Sequence, residues 1–369
     1  MTLPRVAAFT DTYLPTVNGV TYTVRTWREQ WESRGGRMDV VYPESEYDPA
    51  PGEYPVSSVP FPFYEGFRIG LPEVPDPARN VDLVHAHTPF GIGLGGLRVT
   101  RSREAPLVAS YHTPSVEYAG YLSDNGLVEG LLERVARTYE RWFLNRAEMV
   151  VVPSQRTLRY VADVLGVDTE VQVVGNGVDT EFFGPGGDLR EHVDLPEGPL
   201  VGYTGRHGHE KRLDVLVEAV AEMDRDATLV LGGDGPARDH VEATVERHGV
   251  DARFLGFLDR ERLPEFYATI DVFGFPSPVE TQGLVALEAN ACGTPVAGVD
   301  AGALADTIDD GSNGYAARPG DPVALAGALE RTLDERDRLR QRCLDRRDRI
   351  SVEHAVDRLR EIYRRVADR

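Results

Sequence analysis

Glu280 and Glu288 bracket the most chemically suggestive stretch of the chain, Glu280-Thr-Gln-Gly-Leu-Val-Ala-Leu-Glu288, which follows an apolar β-type run, Val272 to Phe275, and a Pro-Ser-Pro turn. A helix is expected from about Gly283. The unpaired amides at its start, with the positive end of the helix behind them, suit a phosphate. Eight residues at the helical rise separate the two carboxylates by about 12 Å. Glycosidase pairs sit roughly 5 to 10 Å apart, so an acid and a nucleophile acting on one bond are disfavoured. Two carboxylates gripping hydroxyls at opposite ends of an extended ligand fit better.

A second cluster, Thr204-Gly-Arg206-His-Gly-His-Glu-Lys211-Arg-Leu-Asp214, follows another apolar run, Leu200 to Thr204. Glycines, an arginine and a lysine at a strand-to-helix turn make an anion site, with Arg206 able to engage two oxygens and Lys211 acting as a point charge. Lys211 is also the only lysine among 40 basic residues. A GC-rich coding sequence in a salt-adapted cell accounts for the general loss of lysine, because carboxylates replace it on the surface and salt screens their repulsion. The survivor is expected where a compact ammonium is needed and a guanidinium will not serve.

The elements that must position these groups follow a rhythm. Short β-type runs at Val6 to Phe9, Met38 to Tyr42, Leu83 to His85, Leu107 to Ser110 and Met149 to Val152 alternate with longer amphipathic stretches. That is the pattern of parallel strands joined by crossover helices. After Phe183 a breaker-rich span, Gly-Pro-Gly-Gly-Asp and then Leu195-Pro-Glu-Gly-Pro199, reads as a linker. The rhythm restarts at Leu200 to Thr204, Thr228 to Leu231, Arg253 to Leu255, Val272 to Phe275 and Pro295 to Ala297. A chain of 369 residues is too long for one comfortable core. The expected division is 1–183 as a first domain, 184–199 as a linker, 200–350 as a second domain and 351–369 as a terminal helix. In that helix Val352, Val356, Leu359, Ile362, Tyr363 and Val366 form a stripe that needs a surface to pack on. The expected fold class is α/β, with two Rossmann-like, doubly wound parallel sheets facing one cleft.

Charge narrows the partners. With 60 acidic residues against 40 basic ones the net charge is −20, which opposes binding of DNA or RNA phosphates. Cys292 and Cys343 lack a CxxC arrangement, so neither a disulfide scaffold nor a zinc site is suggested and a reducing cytoplasm fits. The start of the chain has too short an apolar run for a signal peptide, and no window of some 18 continuous apolar residues occurs. A soluble protein is expected, at most peripheral on the inner face of the membrane.

Gly205-Arg206, Glu210-Lys211, Asp214, the Glu280-x7-Glu288 run and Ala291-Cys-Gly-Thr-Pro295 together resemble the retaining glycosyltransferases of family 4, which have the GT-B fold. Thr10-Asp-Thr-Tyr-Leu-Pro-Thr-Val-Asn-Gly19, His87-Thr-Pro-Phe90, Tyr111-His-Thr113, Val152-Pro-Ser154 and Asn176-Gly-Val-Asp179 resemble that family's first domain. Gly232-Gly-Asp-Gly-Pro236 and Phe254-Leu-Gly-Phe257 resemble its second. The likeness covers nearly the whole chain. It implies transfer of glucose or mannose from a UDP- or GDP-sugar with retention of configuration, the leaving phosphate helping to deprotonate the acceptor, with no metal or other cofactor. Carried over position by position, Arg206 and Lys211 hold the donor diphosphate, helped by amides of Gly19, Thr281, Gln282, Gly283 and Leu284. Glu280 contacts the hydroxyls of the donor sugar and Glu288 those of the ribose. His112 lies near the sugar and diphosphate, Gly235 and Phe257 face the base, and the terminal helix crosses back to the first domain. The chain departs from the family at Thr281-Gln282, where Pro or Ser and then Phe are common, and at Ala301-Gly-Ala-Leu-Ala-Asp306 in place of Gly-Gly-x-x-Glu. Tuning rather than loss of function is expected.

The acceptor is read from the first half. Tyr111-His-Thr-Pro-Ser-Val-Glu-Tyr118-Ala-Gly-Tyr121 and His87-Thr-Pro-Phe90 look most like the branch acting on lipids, the diacylglycerol glucosyltransferases and phosphatidylinositol-type mannosyltransferases. Asp11, Tyr13, Asn18, Tyr118 and Tyr121 are the acceptor-side candidates. The stretch Leu127 to Arg146 sets Leu131, Leu132, Val135, Tyr139, Trp142 and Phe143 beside Arg134, Arg137, Arg141 and Arg146, the form of an interfacial helix as well as of one burying a face on a sheet. A soluble or polysaccharide acceptor and a non-catalytic nucleotide-sugar receptor are the competing readings. Two decoys are set aside. Asp224-Arg-Asp226 precedes a strand rather than closing one, which disfavours a DxD metal site, and Gly91-x-Gly93-x-x-Gly96 lacks the strand context and acidic partner of a dinucleotide fingerprint.

Overall fold

The apolar runs of the first half become β1 (Arg5–Phe9), β2 (Arg37–Pro43), β3 (Glu53–Val56), β6 (Leu83–Ala86), β7 (Leu107–Ser110), β8 (Met149–Val152) and β9 (Val171–Val173), with a short antiparallel hairpin, β4 (Ser58–Pro60) and β5 (Arg68–Gly70), outside their sheet. The computed structural model describes residues 3–16, 18–60, 68–112 and 126–368. The seven strands lie in the order β3-β2-β1-β6-β7-β8-β9 and pair in parallel. β6, β7 and β8 are buried at every position, as expected of parallel strands covered on both faces. Their core contains Phe9, Val41, Val84, Ala109, Phe143 and Val150. The helix Gly91–Arg103 packs on this sheet, and Gly96 allows the close approach to Phe9 and Val84. Gly91 and Gly93 lie against the carbonyls of Gly70 and Thr88, so close packing at all three positions, rather than a dinucleotide, accounts for the glycine triplet.

The second half repeats the plan with β10 (Leu200–Thr204), β11 (Thr228–Gly232), β12 (Ala252–Gly256), β13 (Val272–Phe275), β14 (Val296–Val299) and β15 (Gly314–Ala317), in the order β12-β11-β10-β13-β14-β15. Its separate core gathers Leu200, Tyr203, Leu216, Leu231, Phe266, Phe273 and Leu329. Both sheets are doubly wound. Strand order reverses between β1 and β6 in one and between β10 and β13 in the other, and at such a reversal the loops leaving the C-terminal strand ends diverge and open a crevice.

The chain divides into a unit of residues up to Asn176 plus those from Ala355 onward, and a unit Gly177–His354. The span 184–199, expected as a linker, belongs to the second unit. Val178, Phe183, Leu189 and Leu195 bury in the second core, and a parallel bridge joins Val178 to Ser351, so the breaker residues punctuate a packed segment. The terminal helix Val352–Ala367 begins in the second unit and from Ala355 packs with the first. There it buries Val356, Leu359, Ile362, Tyr363 and Val366, with Tyr363 edge-on to Trp31 at 5.2 Å. Each fully buried side chain of this kind contributes roughly 1.5 to 3 kcal/mol. Both cysteines are free and buried. Among the described residues no helix is long and apolar enough to cross a membrane.

Candidate active site

The two clusters singled out in the second half lie on the loops that leave β10 and β13, the strands flanking the reversal. Lys211 closes a single 3-10 turn, His209–Lys211, before the helix Leu213–Ala221, and Glu280 sits in the loop before the helix Leu284–Ala291. Lys211 Nζ donates to Glu280 Oε1 at 2.5 Å, the two side chains being 21% and 14% exposed. Arg206 donates to Glu210 Oε1, also at 2.5 Å, in a more open pair. The open Arg206–Glu210 pair is worth about 0 to 1 kcal/mol, so a stronger anion can displace its carboxylate.

The loop geometry has identifiable supports. A Cβ on Gly233 would lie 2.0 Å from Gly205 O, and the amide of His207 donates to Asp234 O, so the loops after β10 and β11 meet backbone on backbone. Gly235 lies against the backbone of His207 in the same contact. The stretch Ala301 to Asp306, where the chain departs from the family pattern, buttresses the Glu280 loop: Ala303 N donates to Glu280 O at 2.7 Å, and Thr307 Oγ1 to Gln282 O at 2.9 Å. Asn313 Nδ2 in turn holds Thr307 O and Asn290 Oδ1. Gly283, at φ +72°, turns the chain into the helix that begins at Leu284, with Thr281 and Gln282 just before it. Glu288 keeps part of its surface open but is packed deeply enough that burial raises its pKa, and Tyr267 donates to its Oε2 at 2.8 Å. Phe257, immediately after β12, is 84% exposed. No group of three or more His, Cys, Asp or Glu side chains arranged for a metal ion occurs among the described residues.

In the first unit the candidate groups surround the reversal between β1 and β6. His112 follows β7 and is buried, with its Nε2 3.1 Å from Nδ1 of His87. Asp11 follows β1, and its carboxylate accepts from Thr88 Oγ1 at 2.6 Å and from the amide of Ile92 at 3.1 Å, at the start of the helix Gly91–Arg103. Burial pushes its pKa up to about 6. Tyr13 donates to Glu53 Oε1 at 2.8 Å, beside the buried Arg28–Glu53 ion pair. Asn18 caps the helix that opens at Gly19, accepting from Thr21 N at 2.9 Å and donating to Thr12 Oγ1 at 2.8 Å. These three acceptor-side candidates therefore pin the loop after β1, which lines a cavity of about 440 Å³ with Glu44, Glu46 and Arg68. Tyr118 and Tyr121 lie outside the described residues. Sequence reasoning missed Glu210, Tyr267, His87 and Tyr363 as partners of the named groups. An i,i+4 spacing could have found Glu210 and a His-x-His at a strand end could have found His87, whereas nothing local marks the other two.

With this geometry in place, comparison with known proteins is decisive. The profile of Glycosyltransferase Family 4 matches residues 17–182 and that of Glycosyl transferases group 1 matches residues 188–347. A GDP-mannose-dependent alpha-mannosyltransferase of Mycolicibacterium smegmatis is 30% identical over 90% of this chain and 90% of its own length. The chain belongs to glycosyltransferase family 4. Another relative of this family 4 glycosyltransferase is the sulfoquinovosyl transferase SQD2 of Arabidopsis thaliana, 31% identical over 76% of the chain, though the match spans only 56% of that protein. The alpha-monoglucosyldiacylglycerol synthase of Streptococcus pneumoniae is 26% identical over 79% of the chain and 70% of its own length. Among solved structures, sucrose-phosphate synthase from Thermosynechococcus elongatus matches with a TM-score of 0.79 at 22% identity, covering 98% of each chain, a likeness of fold.

Proposed function

We propose that this family 4 glycosyltransferase moves a hexose, glucose or mannose, from a UDP- or GDP-sugar to a hydroxyl of a membrane lipid or lipid-linked glycan, with retention of configuration. The observation that carries the reading is the meeting of Lys211 and Glu280 at the strand-order reversal, 69 positions apart in sequence and 2.5 Å apart in space. An ammonium beside a carboxylate suits a ligand that joins a diphosphate to a polyol. In the proposed complex the diphosphate takes over Lys211 and Arg206 from their carboxylates, and Glu280 accepts hydrogen bonds from the sugar hydroxyls. Catalysis is then positioning plus charge stabilisation on the departing diphosphate. A phosphate oxygen takes the acceptor proton, no side chain becomes covalently attached, and no metal enters the scheme. Glu288 is assigned to the ribose and the exposed ring of Phe257 to the base.

A lipid acceptor is favoured by similarity to a protein whose name gives its product as a glucosylated diacylglycerol. The helix Gly126–Leu144 supports it physically. Arg134, Arg137 and Arg141 are exposed together with Val135 at 59% and Trp142 at 38%, and the Arg146 guanidinium lies 3.8 Å from the Trp142 ring. Apolar and aromatic side chains among arginines suit the headgroup boundary of a membrane, where the protein is proposed to dock peripherally from the cytoplasm. The acidic, nearly lysine-free composition fits work in concentrated salt. Incubation in concentrated potassium chloride with UDP- and GDP-sugars and a polar lipid extract, followed by mass spectrometry, tests the reading. A donor-dependent hexose increment on a lipid is expected. Release of nucleoside diphosphate without lipid modification would redirect the acceptor to soluble molecules, and donor binding without turnover would leave only a receptor.

A further inference from the structure

The carboxylate assigned to the ribose is held from one side only. Glu288 stands on the helix Leu284–Ala291 with part of its surface open, and it accepts from the Tyr267 hydroxyl through Oε2 at 2.8 Å. Among the described residues none donates to its Oε1. Tyr267 belongs to the neighbouring helix Leu263–Thr269 and is fully buried. Its ring lies edge-on to Phe266 and Phe273, both at 5.7 Å, and to Phe183 at 6.1 Å. The Tyr267 carbonyl is held as well: Thr294 Oγ1 donates to it at 2.5 Å, and Thr294 N donates to Ala289 O at 2.8 Å. Tyr267 is thus tied at its hydroxyl to the helix that carries Glu288, and at its backbone to the turn in which that helix ends. All of these residues lie in the second unit.

A carboxylate that accepts from sugar hydroxyls works best ionised, because the protonated acid carries an O–H donor and loses acceptor capacity. Burial works against ionisation and raises the pKa of Glu288. Two groups oppose the rise: first the hydrogen bond from Tyr267, then the positive charge of Arg260, whose guanidinium lies 4.6 Å from the Phe182 ring. Tyr267 does not ionise in its place, since burial and the adjacent carboxylate raise its own pKa well above the ordinary phenol value. Cys292, one turn further along the chain, is a neutral thiol that burial pushes up to about 12. Arg340 and Arg347 act on that thiol from the helices Arg336–Asp345 and Arg347–Ile350. We propose that Tyr267 is the positioning residue of this site, donating to Oε2 so that Glu288 stays ionised and its Oε1 is left to accept from the ribose hydroxyls of the nucleotide. This rests on the assignment of Glu288 to the ribose, but the effect of Tyr267 on the Glu288 carboxyl is a property of the free protein and is tested separately.

The experiment joins carbon NMR titration of the Glu288 carboxyl in the nucleotide-free whole protein to calorimetry. The calorimetric probes are UDP, GDP and their 2′,3′-dideoxy counterparts, near pH 6.5 and near pH 8.5. Titration of the phosphates is common to each pair, so the ratio of the two affinities reports the hydroxyl contacts. Wild type should hold the carboxyl ionised near pH 6.5 and prefer the ribonucleotide at both pH values. Tyr267→Phe keeps the ring and its packing but cannot donate, so its Glu288 carboxyl should titrate at higher pH. Its preference for the ribonucleotide should fall roughly three- to tenfold near pH 6.5, the scale of one charge-assisted hydrogen bond, and return toward wild type near pH 8.5 as the carboxyl ionises again. Glu288→Gln should lose the preference at both pH values, and adding Tyr267→Phe to it should change the ratio no further. A wild-type carboxyl already protonated near pH 6.5, an unmoved titration in Tyr267→Phe, or a loss of preference equal at both pH values in that variant would overturn the role of Tyr267. Full preference in Glu288→Gln would instead overturn the ribose assignment of Glu288 itself.

Discussion

The two units share a strand order and bring their polar groups to the same topological place, beside the reversal at the C-terminal strand ends, yet they treat those groups in opposite ways. In the first unit Asp11, His87 and His112 are buried, and burial moves every one of them toward its neutral form. In the second, Lys211, Glu280, Arg206 and Glu210 remain partly solvated and paired as ions. The cause lies in the cover over the strand ends. β6 and β7 end in residues covered by Trp27 and the terminal helix, whereas the charged side chains on the loops after β10 and β13 keep between 14% and 46% of their surface exposed. Burying a neutral imidazole is tolerable, while burying an ion is expensive, so one frame yields a fixed scaffold and the other a set of exchangeable charges.

The largest effect that can break this contrast is acid lability. The three imidazoles are held below their unfolded value near 6.5, so their contribution is fully present above that pH and is lost as pH falls toward 4. Asp11, raised to about 6, runs the other way and takes back about one of the three protons over that window. The net of two protons corresponds to about 3 kcal/mol per pH unit. Hydrogen exchange at pH 4.5 against pH 7 should therefore expose β6 and β7 before β13, even though burial also lowers His207 in the second unit. Equal loss of protection in both units would dissolve the distinction.

Next in size, Lys211→Ala should reduce transfer about 10²-fold or more at saturating donor, the scale of losing one oxyanion donor. Near-normal turnover would remove the lysine from the chemistry. Glu288→Gln should weaken nucleotide binding by roughly tenfold, the value of one charge-assisted hydrogen bond, while Glu280→Gln lowers turnover more than affinity. Calorimetry giving both variants wild-type nucleotide affinity would contradict the ribose assignment. The smallest expected change sharpens the idea of exchangeable charge. Glu210→Gln removes the carboxylate that Arg206 must leave, so melting should move by no more than about 0.5 kcal/mol and donor affinity should rise a few-fold. A loss of affinity would mean that Glu210 orients Arg206 rather than occupying it.

Much of this arrangement is legible in the chain. Lys211 stands out because it is unique, and Glu280 because its neighbours form an ordered motif. The strands readable from sequence are mostly central ones with unbroken buried runs, the edge strand β12 with its Phe254-Leu255 pair being the exception, while β3, β9 and β15 carry no comparable signal. β3 carries Pro55 and β9 exposes part of each residue, so these two edge strands lack the unbroken apolar run that marks a covered one. The span 184–199 misleads for the same kind of reason: glycine and proline report a turn, not whether Leu189 and Leu195 nearby are buried.

Residue type and local order determined the family, the alternation of strand and helix, the apolar stripe of the terminal helix and the anion-binding character of the loop at Lys211, because each depends on neighbours within one or two turns. Tertiary structure alone decided that Lys211 faces Glu280, that Tyr363 reaches His85 across 278 positions, and that the imidazoles are neutral while the lysine stays paired. Those outcomes depend on burial and on contacts between distant strands, and desolvation is a property of the packed surroundings that no local pattern contains.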